Sequence, residues 1–247
     1  MTGTVRLFGL DFADVSADEA ADRIAARPAG AAFGYVVTPN ADHLVRISRD
    51  PTLPPIYVGA WMRLLDSRVV ARLGAMRGLR VPRVATGSDL TKSLLDRHIH
   101  KDERITIIGM RPEWLEALLR NYDVPPPAHY DPAMGFDHDP AAFARTVAFV
   151  LAHPSRLVFF AVGSPRQERL AAAVAATGRC TGTGLCIGAS LAFLAGVEAR
   201  APIWMQQYGL EWAFRLVRDP QRLARRYLMD SPLVLPMLLR ERSNSRE

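Results

Sequence analysis

Polar side chains that could do chemistry stand directly after short apolar runs of the chain. Thr38, Asn40 and Asp42 follow the run that ends at Val37. Such residues either cap the helix that comes next or bind a polar ligand at the end of a strand. Asp66 ends a second apolar run, where it is either a turn or capping residue or a general base for a sugar or alcohol hydroxyl. From these residues alone, both roles stay open at both places.

Another candidate lies in residues 165–168, Pro-Arg-Gln-Glu, where a helix is expected to begin. Pro165 is typical of a first helical turn, and Glu168 there complements the positive end of the helix dipole. These two residues therefore have a structural reason for their positions. Gln167 has none, which makes it a candidate for binding a ligand.

Arginines recur three or four residues apart near the C-terminus. They are Arg215, Arg218, Arg222, Arg225 and Arg226. A solvated basic face, a nucleic-acid site and a diphosphate site would all show this pattern. No nucleic-acid-binding motif surrounds the cluster, and the basic excess of the chain is modest, with 31 Lys and Arg against 25 Asp and Glu. A diphosphate suits the pattern well, because each guanidinium can donate two parallel hydrogen bonds to phosphate oxygens.

Three further patterns are weaker evidence for a functional site. Residues 182–188 resemble a loose dinucleotide fingerprint, but they lie late in the chain and lack the acidic residue expected about 20 positions on. Residues 137–139, Asp-His-Asp, match the metal-binding pattern of some sugar-nucleotide enzymes, yet they precede Pro140, which favours a helix cap. Cys180 and Cys186 form no metal-binding spacing and are predicted to be buried thiols in a reducing compartment.

Strand patterns and helix patterns alternate along the first 199 residues, and these elements must position the candidate residues. Residues 34–37, 104–109 and 157–162 are apolar runs bounded by turn residues, as in strands. A glycine turn and a helical pattern follow the second and third runs. The alternation predicts an α/β fold with a Rossmann-like, mostly parallel sheet flanked by helices. Ligands of such folds collect beyond the strand ends, so the turns at Gly109 and Gly163 are candidate phosphate sites.

The alternation of strand and helix patterns ends after residue 199. Residues 204–218 and 221–228 have helical patterns, and Pro232 and Pro236 then interrupt an apolar run over residues 233–239. This region contains nine arginines and five acidic residues. We therefore expect an α/β domain over residues 1–199 and a basic helical appendage over residues 200–247. No window supplies the roughly 20 apolar residues of a spanning helix, so a cytoplasmic protein, at most peripheral to a membrane, is expected.

Taken together, these segments resemble the WecG/TagA/CpsF family, glycosyltransferase family 26, in content and order. The resemblance runs from about residue 33 to residue 227. The matching motifs are Thr38-Pro39-Asn40, the strand end at Asp66, Gly87-Ser88-Asp89-Leu90, Ile107-Ile108-Gly109, Met134-Gly135-Phe136, Val162 to Glu168, Gly196 with Arg200-Ala201-Pro202, and Gly209-Leu210-Glu211-Trp212 through Arg226-Tyr227. Ser67 stands where the family usually has Gly after the catalytic Asp.

The resemblance implies an inverting glycosyltransferase that uses neither a metal nor another cofactor. Its donor would be a UDP-sugar, and its acceptor a polyprenyl-diphosphate-linked saccharide in exopolysaccharide or surface-glycan biosynthesis. The enzyme would be a hexosyltransferase similar to N-acetylmannosaminyltransferases. It would lie in the cytoplasm, in peripheral contact with the inner face of the cell membrane, and would not bind nucleic acid.

The resemblance also implies roles for individual residues. Asp66 would be the general base, with Thr38, Asn40 and Gln167 beside it at the reacting centre. Substrate contacts would come from Arg83, Gly109, Gly135, Phe136, Gly163 and Glu168. The appendage would close over the pocket and bring Arg215, Arg222 and Arg225 to the diphosphate, because departing UDP gains negative charge that cations must stabilise.

Two other functions compete with this interpretation. A non-catalytic adaptor could use the C-terminal arginine cluster to bind a membrane surface or another anion, and it would not need Asp66. A nicotinamide-dependent oxidoreductase could use residues 182–188, and it would bind NAD(H) but not UDP.

Overall fold

In the described part of the chain, six parallel strands form the central sheet. The structure is a computed structural model that describes residues 3–28 and 30–241, without the side chains of Arg222 and Arg226. An antiparallel hairpin, β1 (Thr4–Leu7) and β2 (Leu10–Ala13), precedes the sheet. The sheet strands are β3 (Gly34–Val37), β4 (Met62–Arg63), β5 (Ile105–Ile108), β6 (Ala128–Tyr130), β7 (Leu157–Phe160) and β8 (Thr183–Cys186). Their order is β4-β3-β8-β7-β5-β6.

Helices cover both faces of this sheet, so the predicted Rossmann-like α/β fold is confirmed. They are α1 (Ala17–Ala25), α2 (Ala41–Arg49), α3 (Pro54–Val58), α4 (Arg68–Met76), α5 (Gly87–Arg97), α6 (Pro112–Asn121), α7 (Pro140–Ala152), α8 (Arg166–Ala176) and α9 (Ser190–Leu194). The central strands are mostly apolar, as expected for strands with both faces buried. Along β7, for example, Phe159 packs into one core and Phe160 into the other.

Side-chain caps fix where several helices begin after the strands. Asn40 accepts a hydrogen bond from the N–H of His43 at the start of α2, and Ser67 accepts one from Val70 at the start of α4. Ser67 has a φ of −155°, so this turn does not require the glycine usual in the family. Asp139 caps α7 by accepting from Ala141, which confirms the capping interpretation of residues 137–139.

Two of the glycines in residues 182–188, Gly182 and Gly184, have a packing role at β8. A Cβ at Gly184 would lie 2.7 Å from Phe33 and 2.8 Å from Phe160. One at Gly182 would lie 2.3 Å from the carbonyl oxygen of Ser155. Gly182 precedes β8 at the edge opposite the carboxyl ends of the strands, where ligands of such sheets do not bind. Close contacts between neighbouring segments therefore account for Gly182 and Gly184, two of the three glycines in the pattern that resembles a dinucleotide fingerprint.

The C-terminal helices are shorter than expected. The predicted helix over residues 204–218 is divided at Gly209, which has a φ of +72°, into α10 (Ile203–Gln207) and α11 (Glu211–Arg218). The next segment is α12 (Pro220–Ala224), followed by a π-helical turn (Arg225–Asp230) and a 3-10 turn (Ser231–Leu233). Pro236 does not keep the apolar run over residues 233–239 from forming a helix. Pro236 lies in the first turn of α13 (Val234–Arg240), where a backbone N–H has no intrahelical partner to lose.

Both ends of this C-terminal region are attached to the α/β body. At one end Ala201 is buried, and Arg200 donates a 2.7 Å hydrogen bond to Asp89. At the other end Val234 and Leu238 of α13 join the main hydrophobic core. We call residues 202–233 the roof, because they cross the carboxyl ends of β3, β4, β7 and β8 between these two attachments.

Candidate active site

A cleft of about 580 Å³ lies between the carboxyl ends of the strands and the roof. This is the edge at which open parallel sheets bind their ligands. Residues that follow the strands form its floor: Thr38, Asn40, Asp66, Ser67, Gly163, Gln167, Gly188 and Ser190. The roof contributes Gln206, Gly209, Glu211, Trp212, Arg215 and Tyr227. The cleft is therefore closed on one side by the sheet and on the other by the C-terminal helices.

Asp66 is held at the floor by the first amide of α5. The N–H of Gly87 donates to Asp66 Oδ2 at 3.1 Å. A Cβ on Gly87 would lie 3.2 Å from Thr38 Oγ1, 3.3 Å from Ser190 Oγ and 3.7 Å from Asp66 Oδ2. The missing side chain thus leaves room for two hydroxyl groups and a carboxylate to converge around one helix N-terminus.

The surroundings of Asp66 make it a better proton acceptor than an ordinary aspartate. Burial raises the pKa of Asp66 to about 7, although the hydrogen bond from Gly87 favours the ionised form. The negative charges of Glu211 and Asp89 raise this pKa further, and the charge of Arg200 lowers it. A general base works best when its pKa is close to the pH at which it operates.

Gln167 joins two neighbouring strand ends. Its Oε1 accepts the N–H of Gly188 at 2.9 Å, and its Nε2 donates to Glu168 Oε1 at 2.9 Å. Burial raises the pKa of Glu168, which is 1% exposed and lies beneath the cleft without lining it. The amide of Gln167 is thereby fixed at the floor, with a second N–H on Nε2 beyond the one donated to Glu168.

Arginines reach the cleft from both sides. From the floor side, Arg46 bridges Asp42 at 2.6 Å and Ser164 at 3.2 Å, and Arg68 follows Ser67 at the start of α4. From the roof, the guanidinium of Arg215 lies 5.4 Å from the centre of the Phe193 ring. The cleft therefore combines a carboxylate, hydroxyl and amide groups with several positive charges.

A sequence model of the glycosyl transferase WecG/TagA/CpsF family matches residues 5–247. The chain belongs to this family. It is therefore a glycosyltransferase, which uses a sugar donor and an acceptor substrate. The resemblance read from the short motifs is confirmed over essentially the whole chain.

Several positions that the family resemblance assigned come together in the cleft of this glycosyltransferase. They are Thr38, Asn40, Asp66, Gly163, Gln167 and Arg215. Thr38 donates to the carbonyl of Cys186 at 3.3 Å, while Asn40 caps α2 and also lines the cleft. The alternatives of capping and ligand contact are thus compatible at Asn40.

Other assigned positions are not among the described residues that line the cleft of the glycosyltransferase. Arg83 binds Glu19 at 2.6 Å, near the hairpin. Gly109 lies against the backbone of Ala161, and Gly135 begins a 3-10 turn in which Phe136 is buried and stacked on Phe143. Arg225 is exposed, with its Nε 4.0 Å from Asp230. The side chain of Arg222 is outside the described residues.

The cleft also contains residues that the motifs of the family did not single out as site residues. They are Arg46, Arg68, Ser190, Glu211 and Trp212. Arg46 follows Asp42 by four residues, the spacing that places two side chains on one helical face, so its position could have been inferred. Glu211 and Trp212 reach the cleft because the chain turns at Gly209. The continuous helical pattern of the sequence did not predict this turn.

The exposed apolar side chains of this glycosyltransferase are concentrated in its C-terminal region. They include Ile203, Trp204, Tyr208, Val217, Leu228, Met229 and Leu239. In the described residues, no helix is long and apolar enough to cross a membrane.

Across the same residues, no three His, Cys, Asp or Glu side chains form a group that could hold a metal ion.

Proposed function

We propose that this glycosyltransferase moves a sugar from a UDP-sugar to a polyprenyl-diphosphate-linked saccharide, with inversion and without a metal ion. The observation that carries the proposal is the position of Asp66, whose pKa is raised to about 7 on the floor of a cleft roofed by Arg215. The reaction would serve exopolysaccharide or surface-glycan biosynthesis, as the family resemblance implies.

In the proposed reaction Asp66 accepts the proton of the acceptor hydroxyl. The freed oxygen attacks the anomeric carbon of the donor sugar, and the bond from that carbon to the diphosphate oxygen breaks. The electron pair of that bond leaves with UDP. A single displacement of this kind inverts the anomeric carbon, and one carboxylate is enough as the base. Thr38, Asn40 and the free N–H of Gln167 would bind hydroxyl groups of the two sugars.

Arginines are proposed to stabilise the charge that grows on UDP. Arg215 and the two arginines of the floor side, Arg46 and Arg68, line the cleft and are the best-placed candidates. Arg222 and Arg225 remain proposals for the same role. Preorganised cations in a cleft largely shielded from water stabilise a departing diphosphate strongly, because little reorganisation is needed as its charge develops.

The acceptor would bring the enzyme to the membrane surface. Val217 is 82% exposed, Ile203 72%, Met229 67% and Trp204 56%, and arginines such as Arg218 lie among them in the chain. Apolar and aromatic side chains interspersed with arginines are typical of a surface that lies in the interface of an anionic membrane. The apolar side of α13 that could take part consists of Leu235 and Leu239, since Val234 and Leu238 are buried. We therefore propose peripheral contact with the inner face of the cell membrane.

The proposal is tested by measuring UDP release in EDTA from a panel of UDP-sugars, with a polyprenyl-diphosphate-linked saccharide as acceptor. Release from one donor is expected with the wild-type enzyme and should be lost in Asp66→Ala. Asp123→Ala is the matched control, because Asp123 is exposed and pairs with Lys101. The anomeric configuration of the product reports inversion. If the folded protein neither binds UDP nor releases it from any donor, the proposal is wrong, and the adaptor function would gain support.

Membrane contact has its own test, which is cosedimentation with anionic vesicles. Trp204→Ser and Val217→Ser should weaken binding. Met76→Ser and Met134→Ser remove apolar side chains of the α/β body that are at least as exposed, so they should leave binding unchanged. Equal effects of all four variants would contradict the proposed orientation.

A further inference from the structure

Glu211 is a charged group of the cleft to which the proposed reaction gives no role. It is the first residue of α11 and lines the cleft from the roof. A carboxylate does not suit a site for a diphosphate, because like charges repel. The surroundings of Glu211 indicate a different purpose.

The roof is attached to the body close to Asp66. Arg72 of α4 donates to the carbonyl oxygens of Gln207 at 3.1 Å and Tyr208 at 3.0 Å. The next residue, Gly209, packs on the first turn of α4, where its missing Cβ would lie 3.5 Å from Arg68 Cβ. Asp66 precedes this turn of α4 by two residues, and Glu211 follows Gly209 by two. The attachment therefore brings the start of α11 over the floor carboxylate.

The negative charge of Glu211 is not neutralised by a neighbour within its own helix. Arg215 stands four residues later in α11, at the spacing of a helical ion pair. Its guanidinium lies instead over the ring of Phe193. Among the described residues, no hydrogen bond or ion pair engages the carboxylate of Glu211.

Four of the other charged groups around Asp66 form two ion pairs. On α5, Asp89 is paired with Arg200 at 2.7 Å, so these charges largely cancel. From α4 comes Arg68, and the remaining charged or titratable groups that line the cleft are Asp42, His43, Arg46, Arg215 and Tyr227. Asp42 is paired with Arg46.

We propose that Glu211 is a positioning residue of the roof, whose unpaired carboxylate faces Asp66 across the cleft and strengthens Asp66 as the base. The inference rests on the proposed role of Asp66. A like charge disfavours ionisation of Asp66 and so increases the affinity of its carboxylate for the acceptor proton. In agreement with this, Glu211 is the largest charged influence that raises the pKa of Asp66.

The test follows the titration of Asp66 directly, so that it does not depend on activity. The N–H of Gly87 donates to Asp66, and its amide shifts in ¹⁵N-labelled full-length protein should therefore show an inflection near pH 7. Asp66→Asn should abolish that inflection, which assigns it. In Glu211→Gln the inflection should fall by on the order of one pH unit. Glu116→Gln, an exposed change on α6, should leave it in place.

A second variant keeps the inference falsifiable if Glu211→Gln does not fold. Arg72→Met removes the two hydrogen bonds to the roof while preserving both carboxylates, and it should lower the same inflection. An unchanged inflection in the folded Glu211→Gln protein, or in Arg72→Met where that variant is used instead, would overturn the inference. The acidic limb of the kcat/KM profile should shift with the inflection. Absence of sugar transfer by the wild-type enzyme, with the inflection shifted as expected, would count against the proposed function instead.

Discussion

The floor and the roof of the cleft are held in place by different means. Floor side chains bond to backbone groups of neighbouring strand ends and helix starts, as Asp66 does to Gly87 and Gln167 does to Gly188. Roof side chains project from short helices with exposed apolar faces. The roof is attached to the body by Arg72, by the Arg49–Asp230 ion pair and by its two ends. The floor is therefore rigidly organised, whereas the roof supplies charge and an apolar surface.

This difference suggests a division of work in the proposed reaction. Proton transfer requires a base within about 3 Å of its substrate, which a hydrogen-bonded floor can guarantee. Stabilisation of a diphosphate tolerates more variation in position, because the attraction between charges falls slowly with distance. We therefore expect floor substitutions to affect the chemical step most and roof substitutions to have graded effects.

The largest effect is expected at the floor. Asp66→Asn retains the shape of the side chain but removes the proton acceptor, so kcat should fall by about 10² to 10⁴-fold. UDP binding, measured by calorimetry, should remain close to that of the wild-type protein. A fall of less than tenfold in kcat, in a folded variant, would show that the base lies elsewhere and that the floor is not the chemically decisive side.

The second effect concerns how the roof is anchored. Leu238 in α13 is 2% exposed and packs in the main core, so Leu238→Ala should reduce the free energy of unfolding by about 2–5 kcal/mol. Leu235 in the same helix is 44% exposed, and Leu235→Ala should cost less than about 0.5 kcal/mol. Urea unfolding measures both. Equal small losses would mean that α13 belongs to a loosely attached appendage.

The contrast between floor and roof also explains what the sequence could predict. The apolar runs over β3, β5 and β7 are buried on both faces, so hydrophobic burial alone identifies them. The ends of β3 and β7 locate Thr38, Asn40 and Gln167, because parallel strands finish at one edge of the sheet. The N-cap role of Asp139 was equally predictable, since a cap depends on a few adjacent residues.

The features that the sequence did not predict depend on tertiary contacts, which no local sequence pattern specifies. Gly109 and Phe136 belong to motifs of the family, yet close packing against Ala161 and Phe143 accounts for their positions. The helix α13 around Pro236 is held by Val234 and Leu238, which are buried in the main core. The turn at Gly209 places Glu211 in the cleft, and this turn is visible only in the structure, where it packs on α4.

A third, intermediate effect separates two arginines of the roof. Arg215 lines the cleft, whereas Arg218 lies over the ring of Phe214 and does not line it. A hydrogen bond to a charged group contributes about 1.5–3 kcal/mol, so Arg215→Ala should lower kcat/KM by about 10 to 100-fold. With a short-chain, water-soluble acceptor that removes any effect of membrane contact, Arg218→Ala should change kcat/KM by less than about threefold. Similar losses for both variants would indicate a diffuse electrostatic effect of the whole roof.

The smallest expected effect is that of Glu168, beneath the floor, on the stability of the fold. Burial raises the pKa of Glu168 above the 4.5 of a free glutamate. The unfolded chain therefore releases this proton at a lower pH than the folded protein does. As the pH rises from about 4.5 through the folded pKa, the wild-type protein loses stability that it has below this range. The rigid floor thus includes one acid whose burial disfavours folding at neutral pH.

Glu168→Gln isolates this contribution, because glutamine does not titrate and still accepts a hydrogen bond from Gln167. As the pH rises from about 4.5 through the folded pKa of Glu168, the variant should become progressively more stable than the wild-type protein in urea unfolding. The raised pKa of Asp66 is common to both proteins, so its contribution to the difference cancels. Glu116→Gln, at an exposed site, should show no such trend. A stability difference for Glu168→Gln that stays constant with pH would mean that the floor holds Glu168 as a carboxylate, and that its hydrogen bonds offset the cost of burial.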